Sequence, residues 1–354
     1  MKNLDKYLSL LGEDVDGLLL TSEYSRFYGA EHHISEGVAV VTKNGCRYFT
    51  DSRYIESAQK DIHDFAVFET NRRNPYNDLI NKAIADFGVT KLGYEEEYLS
   101  VAEYLDYEKN LNAKLVPMEG KLAALRMVKE EWELDLMRKA QDITDKAFAE
   151  VLTKIKVGMT EKQLQAELVY CLLKNGADNV AFDPIVITGA KTSMPHGVPG
   201  DAVIQEGDFI TMDFGALYGH YCADMTRTVA VGYATEEMQK VYNIVLQAQE
   251  AAIAATKAGM PGKEIDAVAR KVIADAGYGD YFGHGYGHSL GMEIHEAPNC
   301  NPAGETIMQE NMISSAEPGI YLPGKFGVRI EDVVIFKPDG CENITNSPKN
   351  LIII

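Results

Sequence analysis

A chain of 354 residues is long for a single hydrophobic core, so two domains are expected. Its composition, 46% hydrophobic and 25% charged, is that of a soluble globular protein. Lys+Arg of 34 against Asp+Glu of 53 gives a net charge of −19, which argues against nucleic-acid or anionic-membrane partners.

No segment approaches 18 consecutive apolar residues, and the amino terminus has no apolar stretch of signal-peptide length. Cys46, Cys171, Cys222, Cys300 and Cys341 are odd in number and scattered, without C-x-x-C spacing. Unpaired thiols in a reducing cytoplasm are expected. In chain order, "DGLLL" reads as a strand and "VAVVTKNGCRYFT" as a hairpin around Asn44-Gly45. Helices are predicted at about 52–60, 75–86 and 100–111, alternating with strand-like "FAVFE" and "KLGYE". This is an α/β domain, and no Gly-rich phosphate loop follows any of its strands.

After "LVPMEGKLAALRMVK" the pattern changes. Leu136, Ala140, Ile143, Ala147, Val151 and Ile155 lie on one helical face. Thr160 with Gln163 forms a capping box for the next helix, which ends near Gly176. Sliding the sequence by 101 residues lays "KVGMTEKQLQAELVYCLLKNG" (156–176) over "KAGMPGKEIDAVARKVIADAG" (257–277). Lys156, Gly158, Met159, Ala166 and Gly176 meet Lys257, Gly259, Met260, Ala267 and Gly277, so two related halves are expected, with a cleft between them.

Each half carries acids inside strand-like sequence. In "GDFITMDFGALYGHYCADMTRTVAVG" (207–232), a turn at Tyr218-Gly219 would set Asp213 opposite Asp224. Like charges so placed destabilise a sheet unless a proton or cation lies between them. In "SSAEPGIYLPGKFGVRIEDVVIF" (314–336), Glu317 precedes a Pro-Gly and Glu331 follows Arg329 among valines and isoleucines. Between the two hairpins lies "GHGYGHSLGMEIHE" (283–296), with His284, His288 and His295 among four glycines. Each glycine disfavours a helix by roughly 1 kcal/mol, so irregular backbone is expected there. Singly, these are surface acids and a Gly-rich loop. Together, four carboxylates and an imidazole make an oxygen-rich set suited to Mn²⁺, Co²⁺ or Zn²⁺ and able to hold two ions. H-E-x-x-H, G-x-S-x-G and a recognisable cysteine nucleophile are absent.

The ordered segments "MDFG", "CADMTRT", "GHSLGMEIHE", "AEPGIY" and "GVRIED" resemble the pita-bread-fold metallopeptidases of family M24. The resemblance is to the proline-specific branch, which holds Xaa-Pro aminopeptidases (aminopeptidase P) and Xaa-Pro dipeptidases (prolidases). It implies a mixed α/β (α+β) chain with a small creatinase-type amino-terminal domain over residues 1–122. A pita-bread catalytic domain of two pseudo-symmetric halves would fill residues 123–354. It also implies that Asp213, Asp224, His288, Glu317 and Glu331 bind two divalent ions, Mn²⁺ first, with Co²⁺ or Zn²⁺ as alternatives. Asp224 and Glu331 would bridge them, and a shared hydroxide would attack the substrate. Glu317 would also accept a proton from the water. His196 in "MPHG", His284 and His295 would act on the substrate without binding metal. Arg329 would orient the carboxylates, its bland reading being an ordinary strand ion pair, while Tyr321 is equally well a packed strand tyrosine.

The implied activity is metal-dependent removal of an amino-terminal residue from peptides with proline second. A dipeptidase restricted to Xaa-Pro is the alternative. A non-catalytic interaction protein on the same fold fits less well, since those relatives have generally lost ligands. The implied partners are such peptides and a second copy in a homodimer, with no nucleic acid and no membrane.

Overall fold

The short apolar runs of the first 120 residues assemble into one sheet. The computed structural model describes residues 2–354 and separates into two units, Met1–Arg126 and Met127–Ile354. The strands of the first unit are β1 Gly17–Leu20, β2 Val38–Thr42, β3 Gly45–Thr50, β4 Ala66–Glu69, β5 Lys91–Tyr94 and β6 Lys114–Pro117. They lie in the order β4-β3-β2-β1-β5-β6, antiparallel at β1/β2 and β2/β3 and parallel elsewhere. The helices are α1 Asn3–Ser9, α2 Glu23–Ala30, α3 Ile55–Asp61, α4 Tyr76–Phe87, α5 Val101–Asn110 and α6 Lys121–Ala124. Every residue of β1 and β2 is buried, as a sheet covered on both faces requires.

The three anticipated helices are α3, α4 and α5. The sequence reading did not anticipate α1 or α2, which are seven and eight residues long, too short to display a full apolar period. The first hairpin turns at Lys43-Asn44, one residue earlier than expected, with Thr42 paired to Gly45. The Thr42 hydroxyl decides this. It accepts from the Asn44 N–H at 3.2 Å and donates to the Gly45 carbonyl at 2.7 Å, closing the loop early.

The second unit bears out the duplication. Its first half holds α7 Glu131–Leu152, α8 Glu161–Lys174, β7 Asn179–Val180, β8 Ile185–Thr188, β9 Phe209–Phe214, β10 Ala216–Tyr218, β11 Tyr221–Cys222 and β12 Met225–Ala230. The second half holds α9 Glu236–Ala255, α10 Gly262–Asp275, β13 Gly287–Ser289, β14 Glu296–Cys300, β15 Ile313–Ala316, β16 Gly319–Leu322, β17 Phe326–Arg329, β18 Asp332–Lys337 and β19 Gly340–Asn343. Both ends of α10 fall 101 residues after those of α8. Thr160 and Gln163 form the expected capping box, while Ile155 lies beyond the end of α7.

In each half a helix pair covers the sheet. Val151, Leu164 and Leu168 pack with Met212 and Met225, and Val245 and Ile265 pack with Val328 and Phe336. All five cysteines are free, and no described helix is long and apolar enough to cross a membrane.

Candidate metal centre

The acids enter this apolar framework where its ladders lapse. In the first half, β9 pairs with β12 so that Asp213 faces Thr226, two residues off the expected Asp213–Asp224 pairing. The turn is Gly219-His220, with Tyr218 opposite Tyr221. Both turn residues have positive φ, 54° and 68°, the geometry of a primed turn that follows the strand twist. Glycine takes that conformation without cost, and histidine tolerates it. The expected convergence survives the slip, because a two-residue shift keeps side chains on the same face. Asp224 lies in the gap between β11 and β12.

The second half repeats the arrangement. Ala316 pairs with Asp332 and Gly319 with Arg329, which leaves Glu317 and Glu331 across from each other between the paired segments. The Glu331 N–H donates to the Thr226 carbonyl at 3.1 Å, and the Thr226 hydroxyl donates to Glu331 Oε2 at 2.7 Å. One threonine thus ties the acids of the two halves together.

The histidine segment is a bent strand pair. His288 on β13 faces Asn299 on β14, but Ser289 faces Glu296, so Ala297-Pro298 bulges out. The bulge carries His295 back over His288, their rings 4.5 Å apart and edge to face. Gly287 lets β13 approach β15 closely, since a Cβ there would lie 2.0 Å from the Ser315 carbonyl oxygen. Ser315 accepts from the His288 N–H at 3.0 Å and donates to Glu317 Oε1 at 3.1 Å.

These placements bring Asp213, Asp224, His288, Glu317, Glu331, Arg329, His196, His284 and His295 to one cleft of about 390 Å³. Ligand atoms of Asp224, His288 and Glu331 lie within 4.8 Å of one another. His288 Nε2 is 3.3 Å from Glu317 Oε1 and 3.5 Å from Asp224 Oδ2. Asp213 joins through Arg329, whose guanidinium donates to Asp213 Oδ2 at 2.6 Å, to the Thr226 hydroxyl at 3.0 Å and to the Tyr321 hydroxyl at 2.9 Å. Tyr321 in turn donates to His284 Nε2 at 2.9 Å, and His284 Nδ1 donates to the Gly285 carbonyl at 2.8 Å. Both ring nitrogens of His284 are therefore engaged.

The donor set fits divalent cations. Oxygens of Asp213, Asp224 and Glu331 are buried without a hydrogen-bond partner. His288 Nδ1 donates to the Ser289 carbonyl, so its Nε2 lone pair points at carboxylate oxygens, an arrangement that asks for a positive centre between them. Two unit charges about 4 Å apart interact by ~4 kcal/mol at an effective dielectric of ~20. Without a cation, proton uptake relieves the repulsion. Burial, and then Asp213 and Glu317, push the Asp224 carboxyl well above the usual carboxylate range. Burial and Asp224 do the same to Glu331. Burial raises Glu317 to about 7, with Arg329 opposing. It lowers His288 and His295, and it lowers His284 to about 4.

The metal-free protein is therefore expected to lose stability with rising pH. A carboxylate whose folded pKa is raised stabilises fully below its unfolded value, about 4.3 for Glu. That contribution fades as pH climbs through the folded value, near 7 for Glu317. Calorimetry with chelator should show Tm falling from pH 4.5 to 8, and saturating Mn²⁺ should reverse the trend. A flat or rising Tm in chelator would show that these carboxylates do not repel one another.

Sequence reading did not anticipate Thr226 or Ser315, though each lies two residues from an acid and so on its face of the strand. Phe182, Ile185, Ile294, Asn299 and Asn301 also line the cleft, without a motif to mark them.

Comparison with known proteins agrees along the whole chain. Metallopeptidase family M24 matches residues 135–338, and the Creatinase/Prolidase N-terminal domain matches residues 2–128. The chain is 39% identical to the uncharacterized peptidase YqhT of Bacillus subtilis (strain 168), over 99% of each chain. Among solved structures it is similar to an Xaa-Pro dipeptidase from Bacillus anthracis, with TM-score 0.96 and 39% identity over 100% of this chain and 99% of that one. It is also similar to an X-Pro aminopeptidase from Thermotoga maritima MSB8, with TM-score 0.93 and 36% identity over 99% of each.

Proposed function

We propose, from the premise that the chain belongs to metallopeptidase family M24, that it removes an amino-terminal residue from peptides whose second residue is proline. The observation that carries this reading is the gathering of all five acid and imidazole ligand candidates, with three further histidines, in one cleft. Asp213, Asp224, His288, Glu317 and Glu331 would hold two divalent ions, Mn²⁺ in our reading, with Co²⁺ or Zn²⁺ as alternatives. Bound there, such ions polarise a carbonyl and acidify water.

The remaining chemistry belongs to the side chains. Glu317, beside His288 in the cleft, accepts a proton from the attacking water at its carboxylate and passes it to the departing proline nitrogen. His295 and His196 donate to the carbonyl oxygen as charge develops on it. His284, both nitrogens engaged by Gly285 and Tyr321, contacts the substrate through its ring. Arg329 holds Asp213 and Tyr321 in place. Replacing it with Lys should weaken metal binding or turnover about 10–100-fold, the usual effect of losing an orienting partner. Unchanged metal affinity and turnover would return Arg329 to the role of an ordinary ion-pair residue.

Chain length is decided by what meets the far side of the proline. A dipeptidase must recognise a free carboxylate there, while an aminopeptidase must leave the chain room to continue. Among the described residues, Arg329 is the only lysine or arginine lining the cleft, and its donors are engaged by protein groups. Arg227 is 1% exposed and bound to Asp332 and to backbone carbonyls, and Lys191 pairs with Glu161 at 2.6 Å. We therefore favour aminopeptidase action on Xaa-Pro-Yaa. The likeness to an Xaa-Pro dipeptidase supports the alternative, restriction to dipeptides.

Parallel assays of Xaa-Pro and Xaa-Pro-Yaa with Mn²⁺, Co²⁺ and Zn²⁺ should show the longer peptide cleaved. Efficient cleavage of the dipeptide alone, under every active metal, would replace this reading with the dipeptidase one. We further assign the enzyme to the cytoplasm, supported by its unpaired cysteines, and, from the family resemblance, to a homodimeric state.

A further inference from the structure

Between β8 and β9 runs the loop that brings His196 to the cleft. His196 is exposed there, so its ring stands where the backbone of the loop puts it. Both ends of that loop converge on Glu161, the first residue of α8, whose side chain is 0% exposed. Glu161 Oε1 accepts from the Thr188 N–H at 2.9 Å, where the chain leaves β8. Its Oε2 accepts from the Gly200 N–H at 2.7 Å and from the Lys191 ammonium at 2.6 Å. The backbone repeats the closure. The Lys162 N–H donates to the Gly200 carbonyl at 3.2 Å, and the Glu161 N–H donates to the Ala202 carbonyl at 3.0 Å.

An acid at the start of a helix ordinarily serves that helix by countering its dipole. Here the carboxylate reaches away from α8, and its three hydrogen bonds go to residues 188, 191 and 200. A carboxylate accepts on both oxygens, and bonds to an ionised group are the strong ones, so one side chain holds the loop's exit and return together. Two contacts from the second half fix the stretch between. The Gly327 N–H donates to the Thr192 hydroxyl at 2.9 Å, and a Cβ on Gly327 would lie 2.2 Å from the Thr192 carbonyl oxygen. Arg329 donates to the Pro195 carbonyl at 3.3 Å, immediately before His196.

We infer that Glu161 is a positioning residue for His196: by joining Thr188, Lys191 and Gly200 it sets the span of the loop, and with it the place of the His196 ring in the cleft. This inference rests on the role given to His196 above. None of the five ligand candidates lies on this loop, so the anchor acts on the histidine and leaves the metals alone. Glutamine at 161 keeps the shape but turns an NH₂ group, a donor, toward one of the two sets of donors. One end of the loop is then released.

The test reads kcat, KM, metal content and amide hydrogen exchange on the full chain. Glu161→Gln should lower kcat about 10-fold with metal content unchanged, since small displacements of an acting group are costly. Exchange across residues 188–200 should quicken about 10-fold, with β9 and β12 unaffected. In a His196→Ala background the same substitution should cost less than about 2-fold further in kcat, because the group it positions is gone. An equal loss in both backgrounds would overturn the inference and leave Glu161 a general stabilising residue. Unchanged exchange in the loop would overturn it too, and that arm holds even if the parent cleaves no Xaa-Pro peptide. Full kcat in His196→Ala alone would overturn the role of His196, and the inference with it, so the failures are distinguishable. Should Glu161→Gln not fold, Lys191→Met serves in its place, since the Lys191 side chain is 28% exposed and both N–H bonds to Glu161 remain. It should lower kcat about 3-fold in the parent and not in His196→Ala. Lys191→Arg, which keeps the charge, should restore that loss, or the inference falls.

Discussion

Glu331→Gln should make the metal-free protein more stable and the enzyme nearly inactive. Glu331 is 2% exposed, one of its oxygens has no hydrogen-bond partner, and burial with Asp224 disfavours its charge. Glutamine keeps the acceptor for the Thr226 hydroxyl and removes the like-charge repulsion. At pH 8 in chelator the variant is expected to melt several degrees above the parent, given a shift of about 2–4 °C per kcal/mol for a domain of this size. Activity should move the other way. The amide is a poorer ligand, and Lewis-acid assistance is worth several kcal/mol. At ~1.4 kcal/mol per decade, hydrolysis of Xaa-Pro-Yaa should fall about 10³-fold. Calorimetry, metal analysis and initial rates on one preparation would show the opposed changes. A variant with parental activity and full metal content would remove Glu331 from the ligand set. A stability gain joined to a loss of function is the signature of a site held together against its own electrostatics.

That tension is also why the ligand candidates were legible in the sequence. Asp213, Asp224 and Glu331 interrupt runs of apolar strand residues, a placement that ordinary packing disfavours. The duplicated helices were legible too, because α8 and α10 keep the same glycines at positive φ on either side, Gly158 and Gly176 in one copy and Gly259 and Gly277 in the other. Register was not. It depended on His220 accepting a positive φ, a choice that favours Gly, Asn or Asp and that no local pattern announced. The supporting shell was less legible still. Thr226 and Ser315 are common strand residues until their hydroxyls are seen on Glu331 and Glu317. The engagement of both His284 nitrogens appears only when Tyr321 is brought up from 37 residues away. Sequence shows where charge is out of place, and folding shows what answers it.

His295→Ala is expected to retain its metal and lose turnover. His295 follows the ligand candidate His288 by seven residues, but the bulge at Ala297-Pro298 sets the two rings in different orientations. His288 aims Nε2 at Glu317 and Asp224, whereas His295 stands edge-to-face against the His288 ring, exposed in the cleft lining. Burial, and then His288, lower its affinity for a proton, which favours the neutral imidazole, with one N–H to donate. A neutral donor aimed at a carbonyl oxygen gains strength as that oxygen becomes anionic, which is stabilisation specific to the transition state. Loss of one such donor costs ~10²–10³ in kcat. KM should change little, because the ground-state carbonyl is bound more weakly than the oxyanion. Metal analysis is the decisive control. An emptied site would make His295 a ligand, and a raised KM with unchanged kcat would make it a binding residue alone. A fall in kcat at constant metal content and KM is the result expected of a group that acts as the tetrahedral centre forms.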